Sequence, residues 1–178
     1  MSVSRLLLWS LTLALVVASV WAWGGLPEQI PTHFGPDGLP DRWSERSVWN
    51  WFVLPGIAVA MAVLMDGVAA WSLRHPDMQT LNLPSSKDLM ALPIDRRMPI
   101  LQRSASLMRW MGVGLLVAFG LFQMGAYAAA FGEPSQPWTL AGLFVCLIGS
   151  PVAVVWGLVA ISSEITRQTR AVREAAAI

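Results

Sequence analysis

Four long apolar stretches, separated by shorter polar segments, leave this chain little sequence from which to build a water-soluble core. They cover residues 6–23, 49–71, 107–131 and 138–161. Each is close to the roughly 20 residues that a helix needs to cross a bilayer core of about 30 Å. None alternates like the strands of a membrane barrel, and backbone groups in lipid must then pair within a helix. We therefore expect an all-α integral membrane protein, a bundle of four transmembrane helices in one membrane domain over 1–178.

The composition fits this class. The chain is 55% hydrophobic and 13% charged, whereas soluble domains are about 25% charged. Lys and Arg form no cluster on a soluble face, so no nucleic-acid partner is expected. The single cysteine, Cys146, cannot form an intramolecular disulfide, and its place in the fourth stretch favours a small apolar packing residue. The first stretch is longer than the h-region of a signal peptide, about 7–15 residues, so we favour a retained helix over a cleaved signal.

The basic residues predict the topology. Of twelve Lys and Arg residues, only Arg42 and Arg46 lie in segment 24–48. The others lie in the N-terminal segment, in 72–106, at Arg109 and in the tail 162–178. The positive-inside rule then places both termini, the 72–106 loop and the tail in the cytoplasm. Segments 24–48 and 132–137 are expected to face outward.

The outward segment between the first two stretches is built for rigidity. Its prolines, which restrict the backbone, are Pro27, Pro31, Pro36 and Pro40. Pro36, Asp37 and Gly38 form a strong turn signal. Ile30, Phe34 and Trp43 are candidate apolar anchors. We expect this loop to hold a defined shape over the outer mouth of the bundle.

The same segment resembles a bacterial membrane-protein family catalogued as domain of unknown function 1648. That family is similar in having a first membrane helix, the pattern L-P-x-x-I-P-x-H-F-x-x-x-G-x-P-D-x-W, and a second helix. The matching residues are Leu26, Pro27, Ile30, Pro31, His33, Phe34, Gly38, Pro40, Asp41 and Trp43. The resemblance extends over roughly residues 6–70, and Arg46 stands where members commonly have Lys. It implies a bacterial cytoplasmic membrane. Its best-known members, the SdpI-type proteins, imply immunity to a secreted peptide toxin and signalling of its presence.

His33 has two possible roles. A metal site would combine its imidazole with the carboxylates of Glu28, Asp37 and Asp41, ligands that suit divalent metals. The spacing matches no known ligand pattern, so we predict no metal. We expect His33 instead to lock the turn through a backbone carbonyl or to contact a peptide. Asp41 is expected to cap a turn or a short helix that runs toward Trp49.

Asp66 is the one clear acid within a predicted span. A charge at the centre of an inserted helix costs about 2.5–3.5 kcal/mol on insertion scales and usually faces the bundle interior. Its structural partner would be Thr12, Arg109 or water from the inner face, and the alternative is a proton- or ligand-linked switch. Gln123 is another polar candidate for the interior, and Pro151 is expected to kink the fourth helix.

No catalytic constellation or cofactor motif is present, so neither enzymatic activity nor a cofactor is expected.

We predict immunity to, or sensing of, a secreted antimicrobial peptide. The outer loop with Trp43, Trp49 and Trp51 would meet the peptide, and 72–106 would dock a cytoplasmic regulator. A small membrane transporter, or an accessory subunit of one, is the alternative; a structural membrane protein without a ligand is the third.

Overall fold

A computed structural model describes residues 2–77 and 86–176, most of which are helical. The helices are α1 (Val3–Trp23), α2 (Val48–Arg74), α3 (Ser86–Ala91), α4 (Ile94–Ala130), α5 (Gln136–Phe144) and α6 (Ser150–Ala176). A π-helical turn, Val145–Gly149, joins α5 to α6. Two antiparallel strands, β1 (Gln29–Phe34) and β2 (Pro40–Glu45), form a hairpin between α1 and α2.

Four helical segments are long and apolar enough to cross a membrane. They are Val3–Trp23, Val48–Arg74, Ile94–Ala130 and Gln136–Glu174. The predicted helical membrane bundle is confirmed at this level, and the chain is a multi-pass membrane protein. The hairpin is an addition to the all-α expectation, because it supplies strands where the sequence predicts only an ordered loop.

The first two long helices begin at serine caps. The Ser2 hydroxyl accepts a hydrogen bond from the Arg5 backbone N–H at 3.4 Å, and the Ser47 hydroxyl accepts one from the Asn50 N–H at 3.1 Å. Such caps satisfy N–H groups that have no partner within the helix. Helix α2 is therefore capped by Ser47, and Asp41 does not take this role.

Helix α4 is the central element, in contact with α1, α2, α5 and α6. Glycine allows the closest of these approaches. A Cβ atom at Gly112 would lie 2.7 Å from a methyl group of Leu8, and one at Gly157 would lie 2.5 Å from a methyl group of Leu107. Membrane bundles commonly use small residues in this way, since lipid provides no hydrophobic force between helices.

Segment 72–106 is less loop-like than the sequence suggests. Helix α2 continues to Arg74, and α4 begins at Ile94, so Pro93 precedes the helix and Pro99 lies inside it. At about 1.5 Å per residue, α4 is longer than a bilayer core requires. Its first turns pack with α3 and α6 in an apolar core at this end of the bundle. The buried members are Leu89, Leu92, Ile100, Leu101, Ile161 and Ile165.

The predicted tail is a direct continuation of α6 as far as Ala176. The π turn at Val145–Gly149 immediately precedes Pro151, and the Ser150 N–H bonds to the Val145 carbonyl, five residues back. A π turn widens a helix locally, at the point where the proline ring would otherwise crowd the preceding turn. The remaining parts of the predicted loop and tail, 78–85 and 177–178, lie outside the described residues.

The bundle has two chemically different ends. We call residues 24–47 and 131–135 the hairpin end, and residues 2–5, 72–77, 86–109 and 162–176 the basic end. Ten of the twelve Lys and Arg residues belong to the basic end. Arg42 and Arg46 are in or beside the hairpin.

Candidate functional site

The hairpin closes at the predicted turn. The Gly38 N–H donates to the Gly35 carbonyl at 2.9 Å, and the Gly35 N–H donates to the Leu39 carbonyl at 2.8 Å. Pro36 and Asp37 are thus the central residues of a four-residue turn, and Gly38 follows with φ of 80°. Glycine is favoured there because a side chain is strained at positive φ. The turn prediction from Pro36, Asp37 and Gly38 is confirmed.

Proline is compatible with this hairpin because of its register. The Arg46 N–H donates to the Glu28 carbonyl at 2.7 Å, and bonded and non-bonded pairs alternate along an antiparallel ladder. Pro31 pairs with Trp43, which by this alternation is a non-bonded position. The missing N–H of Pro31 therefore removes no bond between the strands.

The base of the hairpin is fixed by apolar burial. Leu26 and Ile30 are buried with Ala22 and Trp51 in one cluster. Arg46 adds a polar contact, because its Nη1 donates to the Leu26 carbonyl at 2.7 Å, and its guanidinium lies 5.2 Å from the centre of the Trp23 ring. Of the predicted apolar anchors, Ile30 is buried, Phe34 is half-buried and Trp43 is exposed.

The tip of the hairpin is hydrogen-bonded to the start of α5. Thr139 Oγ1 donates to the Gly38 carbonyl at 2.8 Å, and Ser135 Oγ donates to the same oxygen at 3.3 Å. Gln136 Nε2 donates to the Asp37 carbonyl at 2.8 Å. Ser135 and Thr139 are both buried. Sequence reasoning did not identify these three residues, and the only available signal was a group of polar side chains at the start of an apolar stretch.

Gly38 provides a test of this docking. A Cβ at this position would lie 2.6 Å from Thr139 Oγ1. We expect Gly38→Ala to lower the free energy of unfolding by about 2–3 kcal/mol, since left-handed backbone costs about 1–2 kcal/mol and a hydrogen bond about 1 kcal/mol. Gly132→Ala is the control, because Gly132 has φ of 75° and open space around it. Thermal unfolding in detergent measures both. Equal losses would contradict the docking contribution.

His33 pairs with a carboxylate, and the expected backbone carbonyl is not its partner. His33 Nδ1 lies 2.6 Å from Asp41 Oδ1, and both side chains are more than half exposed. Exposed pairs of this kind contribute little stability. Among residues 2–77 and 86–176, no group of three or more His, Cys, Asp or Glu side chains is placed to hold a metal ion. Glu28 and Asp37 do not join the pair.

Several apolar side chains in or near the hairpin are exposed. We call Leu39, Trp43 and Trp49 the outer face; their exposed fractions are 48%, 45% and 77%. Trp51 differs from the expectation, because it is buried and its Nε1 donates to the Ser19 carbonyl at 2.9 Å. The outer face therefore excludes Trp51, which instead helps to hold α2 against α1.

Beneath the hairpin base, a groove of about 300 Å³ opens between α1 and α4. Trp21, Trp51 and Tyr127 provide its aromatic lining, and Ser19 and Gln123 its polar side chains. Such a groove is large enough for apolar side chains.

Gln123 compensates for a proline in the neighbouring helix. Pro55 lies inside α2 and has no N–H to donate to the Trp51 carbonyl, four residues back. Gln123 Nε2 lies 3.5 Å from that carbonyl, in a buried position. In a membrane bundle a carbonyl freed by proline is commonly satisfied by a neighbouring helix. The contact explains a polar side chain at this depth without a catalytic role.

This explanation predicts a dependence between the two positions. Gln123→Leu should cost about 1–2 kcal/mol of unfolding free energy, because it leaves a buried carbonyl without a donor. In a Pro55→Ala background the restored N–H can bond to Trp51, so the same substitution should cost much less. Thermal unfolding of the four proteins gives the coupling free energy. An equal cost in both backgrounds would show that Gln123 does not act on this carbonyl.

Asp66 lies in a buried ionic network near the basic end. Arg109 Nε donates to Asp66 Oδ1 at 2.8 Å, and both side chains are 7% exposed. Arg5 Nε and Trp9 Nε1 each donate to Asp66 Oδ2 at 3.0 Å. Arg109 is thus among the partners that the sequence suggested, whereas the hydroxyl of Thr12 donates to the Leu8 carbonyl at 2.7 Å. Arg5 and Trp9 were missed, although their four-residue spacing puts both on one side of α1.

The comparisons with known proteins identify one domain. Residues 11–59 match the family model described as domain of unknown function DUF1648. The matched region lies within the predicted range and contains most of α1, the whole hairpin and the first part of α2. Asp66 and Arg109 lie beyond it. No curated protein and no solved structure matches the chain.

Proposed function

We propose that this membrane protein, which carries a DUF1648 domain over residues 11–59, gives immunity to a secreted antimicrobial peptide or senses it. The peptide would bind at the outer face. The observation that carries this proposal is a hairpin fixed at both its base and its tip that leaves Leu39, Trp43 and Trp49 exposed. The likeness of its motif to SdpI-type proteins supports the same role.

The fixed hairpin favours binding because little conformational entropy is lost on association. Binding costs rise with every loop and side chain that must become ordered. Here the backbone is restrained by proline, by Arg46 and by the bonds from α5 to Gly38 and Asp37. Exposed aromatic residues commonly serve as anchors in peptide interfaces. The nearby groove between α1 and α4 can accept apolar side chains of the same peptide.

Signalling would use the connection from the hairpin tip to the basic end. The tip is bonded to α5, and α5 is continuous with α6 through the π turn. Helix α6 then contributes Ile161 and Ile165 to the apolar core that includes α3. In this proposal a peptide bound at the outer face acts on α5 through the bonded hairpin tip and so shifts α6, and the basic-end core docks or releases a cytoplasmic regulator.

We infer that the basic end faces the cytoplasm of a bacterium, with both termini inside and the hairpin outside. The charge separation supports this orientation. Glu45 and Lys87 are exposed at opposite ends, so each can be replaced by cysteine in a Cys146→Ala background. A membrane-impermeant maleimide should label only position 45 in intact cells. Labelling of position 87 under the same conditions would reverse or refute the orientation.

The direct test of function is a peptide challenge. Cells lacking the gene are compared with cells that carry it, using antimicrobial peptides secreted by related strains. We expect the deletion to lower the inhibitory concentration of at least one peptide by fourfold or more. Unchanged sensitivity to every peptide would argue against immunity.

The binding surface is tested separately with Trp43→Ala. Trp156→Ala is the matched control, because Trp156 is 78% exposed and belongs to α6, away from the hairpin. Protection should be lost with Trp43→Ala and kept with Trp156→Ala, at equal membrane abundance by immunoblot. If Trp43→Ala protects fully, the outer face is not the peptide site.

A transporter, or an accessory subunit of one, is the second candidate. The buried network around Asp66 favours it, because ionisable residues inside membrane spans often mark transport pathways. Altered uptake of a small solute in the deletion strain, without a change in peptide sensitivity, would support this alternative.

A further inference from the structure

The ionic network around Asp66 contains more positive than negative charge. It joins one carboxylate to the guanidinium groups of Arg5 and Arg109. In the part of the chain that the structure describes, neither arginine forms an ion pair with any other acid. Of the other acids at the basic end, Asp77 pairs with Arg97, Asp88 with Arg173, and Glu164 with Arg103 and Arg167. Asp95 and Glu174 form no ion pair among the described residues, with these two arginines or with any other. One positive charge is therefore left uncompensated.

The two arginines also have unused hydrogen-bond donors. Each contacts Asp66 through Nε alone, so within residues 2–77 and 86–176 the Nη1 and Nη2 atoms of both have no hydrogen-bond partner. The Arg109 side chain is 7% exposed, and its Nη atoms are not among the fully buried side-chain atoms that lack a partner, so a ligand can still reach them. Asp66 cannot supply more acceptors easily, because Trp9 shares Oδ2 with Arg5.

The network extends to the level of the lipid headgroups through Arg5. Arg5 lies in the first turn of α1, and Asp66 lies eight residues before the end of α2, which is about 12 Å at 1.5 Å per residue. Arg5 is 45% exposed. Trp9, Trp71 and Trp110 are also partly exposed, and tryptophan is typical of the membrane–water interface. Leu6 and Leu13 are exposed along α1, where acyl chains can lie.

We propose that Arg5 and Arg109 bind the phosphate of an anionic phospholipid at the basic end of the bundle. The planar guanidinium groups match the oxygens of a phosphodiester, and Arg binds such groups more specifically than Lys. The lipid charge balances the surplus positive charge of the network, and the phosphate oxygens accept from the free Nη groups. This site is separate from the outer face and does not depend on the proposed peptide role.

The test measures lipid binding to the purified full-length protein in a mild nonionic detergent. Phosphatidylglycerol and phosphatidylcholine are titrated, and bound lipids are counted by native mass spectrometry. We expect phosphatidylglycerol to bind at least tenfold more tightly than phosphatidylcholine. Arg5→Gln should remove this preference. Arg167→Gln is the control, because Arg167 is 72% exposed, belongs to the same end and does not contact Asp66.

Several results would overturn the proposal. They are equal binding of the two lipids, an unchanged preference in Arg5→Gln, or an equal loss in Arg167→Gln. Inorganic phosphate added at millimolar concentration tests for a free anion as the ligand. If it displaces phosphatidylglycerol, the site is not a lipid site. If Arg5→Gln does not yield folded protein, Arg5→Lys replaces it. If Arg5→Lys binds phosphatidylglycerol at least threefold more weakly than the wild-type protein, the result supports the site. If its affinity is unchanged, the result rejects the site.

Discussion

Replacing Asp66 by leucine is expected to lower the free energy of unfolding by about 3–5 kcal/mol, the usual result of removing one member of a buried ion pair. The loss comes from Arg109, which is 7% exposed and would be left without its carboxylate. Arg5 is half-exposed and can turn toward water. Thermal unfolding in detergent and membrane abundance by fluorescence size-exclusion chromatography measure the effect.

The matched control for this prediction is a double variant that removes the Arg109 charge together with the Asp66 carboxylate. In Asp66→Leu with Arg109→Leu, no buried charge is left unpaired, so a large part of the stability should return. If the double variant is as unstable as the single one, the cost arises from packing and not from the unpaired guanidinium. Asp66→Asn is the gentler variant for function: if both abundance and peptide protection are unchanged, Asp66 is not a proton- or ligand-linked switch.

Arg97→Ala is expected to disrupt the basic end, at a cost of about 3 kcal/mol, because several partly buried carbonyl groups lose a charged donor at once. Arg97 Nη2 donates to the carbonyls of Met90 and Leu92 at 2.7 and 2.8 Å. Its Nη1 donates to the Pro76 carbonyl at 3.2 Å and to Asp77 Oδ1 at 3.1 Å. One side chain thus joins the end of α2 to the turn between α3 and α4.

The expected result is local. Hydrogen exchange of residues 86–101 should accelerate in Arg97→Ala, with little change in α1 and α2. Arg96→Ala is the control, because the neighbouring side chain is exposed. Arg97→Lys should behave like the alanine variant, since a single ammonium group cannot reach oxygens on both sides. If hydrogen exchange accelerates to the same extent in Arg96→Ala, the contacts of Arg97 do not hold this region together.

The membrane helices were predictable because their apolar runs are as long as a bilayer is thick. The start of α4 was not, because Pro93 and Pro99 read as helix breaks. A weaker signal was present: Ile100, Leu101 and Ala105 follow the spacing of a half-buried helix, and all three are buried. A helix tolerates proline better near its start than in its middle.

The polar contacts were predictable only in part. Arg109 lies near Asp66 in depth, so depth alone suggested that pair. The contact of Arg5 with Asp66 depends on how α1 is rotated about its axis, and the sequence does not contain this angle. The docking of Thr139 on Gly38 likewise joins residues 101 positions apart. The hairpin was not predicted because Pro31 argues against a strand. Proline fits an antiparallel strand only at a non-bonded position, and the sequence alone does not give the register.

The contact between Arg5 and Asp66 has a consequence for biogenesis. When α2 enters the translocon, Arg109 has yet to reach the membrane, because it lies 43 residues beyond Asp66 in the chain. Arg5 and Trp9 are already present on α1, so the first two spans can enter lipid as a pair whose carboxylate is neutralised. The nascent chain thus carries its own counter-ion for Asp66, and α4 packs later against a pair of helices, α1 and α2, that is already stable in the bilayer.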